Sequence, residues 1–192
     1  MNILAHIHLA ALSNTSVIGN AAADFIKGDP YRQYTPFIAD GIMMHRRVDK
    51  LVDELPEIEQ AKLLFRSETR RVAPITLDIV WDHFLSKHWA CYMQQSLPDF
   101  NLSMQKLIKQ DIALFPVEFK QFMGYLWQNE WLVNYAHQDF IKRVLNGMAN
   151  ERPKLEKLRV SFTDFTDNYA QLEQLFFIFY PRLIKKAQSA QL

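Results

Sequence analysis

Apolar residues recur every three or four positions along almost the whole chain, and nowhere do they alternate with polar residues long enough to face one side of a sheet. That spacing restricts the chain to an all-α fold. The strongest stripe is Ile75, Leu77, Val80, Trp81, Phe84, Leu85 and Trp89, an apolar face running along one helix. Glycines and prolines punctuate the pattern. They predict helices over Leu4 to Leu12, Val17 to Lys27, Pro36 (after the cap Thr35) to Leu55, and from Pro56 into the basic stretch 66–71. Further helices are expected over Pro74 to Met93, Leu102 to Phe115 with Asn101 as cap, Val117 to Asn129, Trp131 to Ala149, Pro153 to Phe162 and Asp164 to Ala187. With 192 residues, no repeat and no linker, residues 1–192 read as a single-domain multi-helix bundle.

The amino-terminal run MNILAHIHLAAL has no Lys or Arg before its apolar part, unlike a secretory signal, and reads as structure. Leu175 to Tyr180, stopped by Pro181 and Arg182, is far too short to span a bilayer. One cysteine, Cys91, cannot form an internal disulfide, so a soluble protein of the reducing cytoplasm is expected. A formal charge of +1 argues against nucleic acid as a partner. Local charge is less even: Lys62 to Arg71 carries four positive residues to one negative, and Lys142 to Arg159 six to two. Either run could meet an acidic partner, or form a solvated helix face.

Asp78-Ile79-Val80-Trp81-Asp82-His83 packs two carboxylates and an imidazole into one predicted helix. Asp78 and Asp82, four apart, share a face, with His83 about 100° further round. Such neighbours need a cation, a proton or an arginine between them, or else face solvent beside a core histidine. Asp24 lies in the small, apolar context Ala21 to Phe25, where a carboxylate is costly unless paired or bound to a cation. His45 and Asp49 repeat the i,i+4 logic, suited to a metal or to a hydrogen bond that fixes the imidazole, and Arg46 and Arg47 beside them offer planar forks to phosphate. His6 and His8 lie about 200° apart on a helix, so at most one can join a shared metal site.

Three helices offering Asp or His, with Arg beside one set, point to a metal-dependent phosphoesterase. Ligands without thiolate favour Mn²⁺, Fe²⁺, Mg²⁺ or Zn²⁺, ions that acidify water and polarise phosphoryl oxygens. There is no glycine-rich phosphate loop, G-x-S-x-G, H-E-x-x-H or C-x-x-C to support another plan.

The blocks Met1 to Ala10, Gly19-Asn20 with Ala23-Asp24-Phe25, Met44 to Asp49, Phe65 to Asp78, Trp81 to Ser86 and Val144 to Ala149 closely resemble the bacterial acyl carrier protein phosphodiesterases. The likeness runs to about Arg182. It implies an HD-domain-like helical fold, dependence on Mn²⁺, and hydrolysis of the diester joining 4′-phosphopantetheine to a serine of holo acyl carrier protein. Here the adjacent pair is reversed, as Asp82-His83, so HD-type ligand positions do not transfer directly. The expected metal ligands are Asp24, His45, Asp82 and His83, with Asp78 or His8 alongside as proton carriers and Arg46 on the phosphate. Arg66, Arg70 and Arg71 are expected to guide the acidic carrier protein. The alternatives are an HD-like phosphohydrolase of nucleotides and a non-catalytic helical module that binds an acidic protein.

Overall fold

The computed structural model describes residues 1–189, which are helical throughout, with no strand among the described residues. The centre is helix α1 (Ile3–Leu12), whose residues from Ile3 to Ala10 are all buried. Helix α2 (Val17–Ala22), capped by Ser16, runs into one 3₁₀ turn at Ala23–Phe25. Helix α3 (Pro36–Asp53) starts on a proline whose missing N–H costs nothing there, and buries Ile38, Ile42, His45, Val48 and Val52 along one stripe.

Two glycines set the α2–α3 distance. A Cβ on Gly19 would lie 2.4 Å from the Ile38 carbonyl oxygen, and one on Gly41 would lie 2.6 Å from that of Ser16. Without side chains there, the two backbones touch.

Helix α4 (Pro56–Leu63) precedes α5 (Ala73–Lys87), which packs on α1, as does α11 (Tyr169–Gln188). Rings from α5 and α11 fill the space between them, with Trp81 5.1 Å from Phe179 and Phe84 5.8 Å from Phe176. Burying such side chains stabilises the fold by about 1.5–3 kcal/mol each. The remaining helices are α6 (Leu97–Asp111), α7 (Val117–Gln128), α8 (Trp131–Asn134), α9 (Gln138–Glu151) and α10 (Leu158–Asp167). A hydroxyl pair, Thr76 to Ser161 at 2.7 Å, pins α10 to α5.

Several boundaries differ from those the sequence predicts. The helix expected from Leu102 begins at Leu97, because Ser96 accepts the N–H of Asp99 and Pro98 occupies the first turn. The expected helix Trp131 to Ala149 breaks at Tyr135 to His137, giving α8 and α9. Helix α4 ends at Leu63, so the basic stretch is a set of turns. Pro181 lies inside α11. No described helix is long and apolar enough to cross a membrane.

Candidate active site

His6 leaves α1 on the side facing α3, where its ring stacks on that of His45 with centroids 3.6 Å apart. One turn further along α3, Asp49 bridges the two imidazoles. Its Oδ1 lies 3.0 Å from His6 Nε2 and its Oδ2 lies 3.0 Å from His45 Nε2. Ligand atoms of these residues all lie within 4.8 Å of one another. Asp24, from the 3₁₀ turn after α2, brings Oδ1 to 3.3 Å from His45 Nε2, with most of its side chain exposed. The amino group of Met1 sits between Asp49, at 3.2 Å, and Asp78, at 2.9 Å.

The α2–α3 contact orients His45. Its Nδ1 lies 2.9 Å from the carbonyl oxygen of Asn20, the residue after Gly19, and so carries the proton that this acceptor requires. Nε2 then faces the carboxylates of Asp24 and Asp49, and neither contact has hydrogen-bond geometry. A nitrogen lone pair held between two carboxylates demands a positive charge. The bare protein supplies one as a proton: burial works against charging His45, but the two carboxylates outweigh it and push the imidazole up to about 9. Burial and the charge on His45 push its neighbour His6 down to about 4. Burial would raise Asp49, yet the imidazoles and the Met1 amino group hold it well below the usual carboxylate range. Met1 itself is pushed up to about 10, since Asp78 and Asp49 overcome the burial of its charge. A divalent cation would satisfy the same need, and two imidazoles with two or three carboxylates suit the ions anticipated from the sequence.

His6 and His45 of the cluster, with Asp24 and Asp78, line a cleft of about 900 Å³, and Asp49 sits behind the two imidazoles. Phe122, Tyr125, Trp131 and Phe140 line its wall, and Arg143 and Arg152 also line it.

The other predicted residues lie elsewhere. Asp82, fully buried on α5, accepts the N–H groups of Leu4 at 2.7 Å and Ala5 at 3.0 Å. It closes the open amino end of α1, a task that consumes both carboxylate oxygens. Burial pushes its carboxyl up to about 7, against these two donors. His83 is likewise spent: Nδ1 meets the Tyr135 carbonyl at 2.7 Å and Nε2 meets the Tyr169 hydroxyl at 2.8 Å. Neither residue joins His45 and Asp24. His8 turns to the Tyr180 hydroxyl at 2.8 Å, leaving His6 as the histidine of that pair at the cluster.

The arginines need the same correction. Arg46 donates to the Ile26 and Gly28 carbonyls, at 2.8 and 3.0 Å, closing the turn after Asp24. Arg66 pairs with buried Asp164 at 2.5 Å, which also accepts from Thr69, and Arg70 donates to the Phe65 carbonyl. None of Arg46, Arg66, Arg70 or Arg71 lines the cleft, because local carbonyls and one buried carboxylate engage the first three and Arg71 is exposed outside it. Arg143 and Arg152, from the second basic run, do line it. Asp49 was marked in sequence by its i,i+4 spacing from His45. His6 carried no mark that separated it from His8 beyond the rule that only one could serve.

Comparison with known proteins places this chain in a family. The family described as acyl carrier protein phosphodiesterase matches residues 1–183. Proteins of that name from Yersinia enterocolitica and Enterobacter sp. are 50% and 49% identical to it over the full length of both chains. The one from Serratia proteamaculans is 48% identical over the same extent. No solved structure matches. The chain belongs to the acyl carrier protein phosphodiesterase family.

Proposed function

We propose that this enzyme is a metal-dependent phosphodiesterase that cuts the diester between 4′-phosphopantetheine and a serine of holo acyl carrier protein, releasing apo carrier protein and 4′-phosphopantetheine. The observation that carries this reading is the convergence of His6, His45 and Asp49, with Asp24 beside them, where His6, His45 and Asp24 line a cleft far larger than a phosphate. Mn²⁺ is the cation implied by the family resemblance, and Mg²⁺, Fe²⁺ or Zn²⁺ suits the same donors. When bound, such an ion polarises a phosphoryl oxygen and makes water a better nucleophile at neutral pH.

The protein's own groups prepare that part of the cleft. The Asn20 carbonyl holds the His45 Nδ1 proton, so Nε2 stays aimed at the cluster. Asp49 holds both imidazoles in register through its two oxygens. Asp24, on the exposed side, is held ionised by His45 and can accept a proton from the attacking water. The aromatic wall covers the extended pantetheine arm and keeps bulk water from the diester. The reading places the enzyme in the cytoplasm, where Cys91 stays reduced.

The test is the mass of purified holo acyl carrier protein after incubation with this enzyme and Mn²⁺, beside an Asp49→Ala variant and a chelator control. Loss of one phosphopantetheine, absent in both controls, is expected. An unchanged mass, while a reference phosphodiesterase works on the same sample, overturns the reading.

A further inference from the structure

A phosphodiester is an anion, and the cleft presents it with the carboxylates of Asp24 and Asp78, with that of Asp49 just behind His6 and His45. Something must offset that repulsion before the substrate arrives. Most arginines near the helical core are already engaged: Arg66 with Asp164, Arg182 with Glu57 and Arg46 with backbone carbonyls. Two are not. Arg143 and Arg152 line the cleft and have no ion pair among the described residues.

Their setting favours a ligand over solvent. The Arg143 guanidinium lies 5.3 Å from the centroid of the Phe140 ring. That ring stands edge-on to Trp131 at 5.6 Å and to Tyr135 at 5.5 Å, so the wall orients the guanidinium while its N–H donors stay free. One turn on, Gly147 also lines the cleft, and a Cβ there would meet nothing within 4 Å. The missing side chain leaves the face of α9 open as a groove between the arginines.

We propose that Arg143 and Arg152 are substrate-binding residues, Arg143 taking the phosphodiester oxygens and Arg152 the acidic surface of the protein that carries the diester. This rests on the phosphodiesterase reading above and adds the groups that recognise its substrate. A planar fork suits two phosphate oxygens at once, whereas a cation at the end of α9 needs only charge to meet a carboxylate surface.

Two measurements test it in the presence of Mn²⁺. The affinity for labelled apo carrier protein, which lacks the diester, reads the protein surface; steady-state kinetics on holo carrier protein read the diester. Arg152→Gln is expected to weaken apo carrier binding about tenfold and to flatten its dependence on salt. Arg143→Gln is expected to lower kcat/KM on holo carrier about tenfold or more, with Arg143→Lys restoring only part. Gly147→Leu, which changes no charge and fills the groove, is expected to raise KM. Lys120→Gln, an exposed cation off the cleft, controls for net charge and stays at the wild-type value in both. Arginine variants within twofold of wild type in both measurements, with the wild type active, overturn this proposal and leave the phosphodiesterase reading standing. A wild type that neither binds nor cleaves carrier protein overturns both.

Discussion

Two parts of this molecule hold carboxylate and imidazole side by side in buried helix, and their fates are opposite. On α5, every polar atom of Asp82 and His83 has a partner within the protein: two backbone N–H groups, a carbonyl and a tyrosine hydroxyl. On α3, His45 has one nitrogen satisfied by a carbonyl and the other held between carboxylates without a hydrogen bond. The two histidines are both buried, but Asp82 is sealed in beside His83 whereas Asp49, four residues from His45, is partly open to solvent. The difference is whether bonding capacity is spent, and only unspent capacity beside a cleft can act on a ligand.

The sharpest way to break this comparison is to exchange the consequences of mutation. His45→Ala and Asp49→Ala are expected to lower kcat/KM on holo carrier protein roughly 10²–10⁴-fold. Their thermal unfolding should move far less than that of variants on α5. Asp82→Ala strands two N–H groups at the end of α1 and is expected to cost about 2–4 kcal/mol in stability. Activity per folded molecule should stay near wild type, and denaturant titration with active-site counting measures both. Should Asp82→Ala abolish activity at unchanged stability, the division between the two regions is wrong. His83→Phe removes two hydrogen bonds but keeps a ring of similar bulk, and is expected to lose about 1–3 kcal/mol.

A pH dependence sharpens the comparison further. Burial pushes His6, His8 and His83 down to about 4, below the ordinary histidine value of 6.5. The unfolded chain therefore binds protons that the folded one refuses, and stability falls as pH drops from about 6.5 toward 4. Urea midpoints across that range should show the slope, and His8→Gln should make it shallower. His45 runs the other way in metal-free protein. Raised to about 9, it contributes stability below pH 6.5 that is lost as pH rises through 9.

Spacing made the helical class legible, and prolines marked the starts of α3, α4, α5 and α7. The exceptions are instructive. Pro98 reads as a loop until Ser96 is seen to cap Asp99, and the break at Tyr135 lies in an apolar run with no glycine or proline. Part of the candidate cluster was legible too: Asp24 and His45 meet, and the i,i+4 spacing put Asp49 beside His45. What could not be read was which acid a distant segment would claim. Asp82 is claimed by α1, 78 residues earlier, and Arg66 by Asp164, 98 residues later. Local sequence carries no mark of either.

The hold of Asp82 on α1 also has a consequence for the order in which the enzyme is made. His6, Asp24, His45 and Asp49 all lie within residues 1–49. Helix α1, which aims His6, has its amino end tied to Asp82 and, through Asn2, to the Tyr135 hydroxyl. Contacts so far apart in sequence form slowly for a helical protein. Residues 1–100 thus carry each of these side chains but neither the aromatic wall nor the arginines, so the candidate site takes shape only when much later segments have packed onto α1.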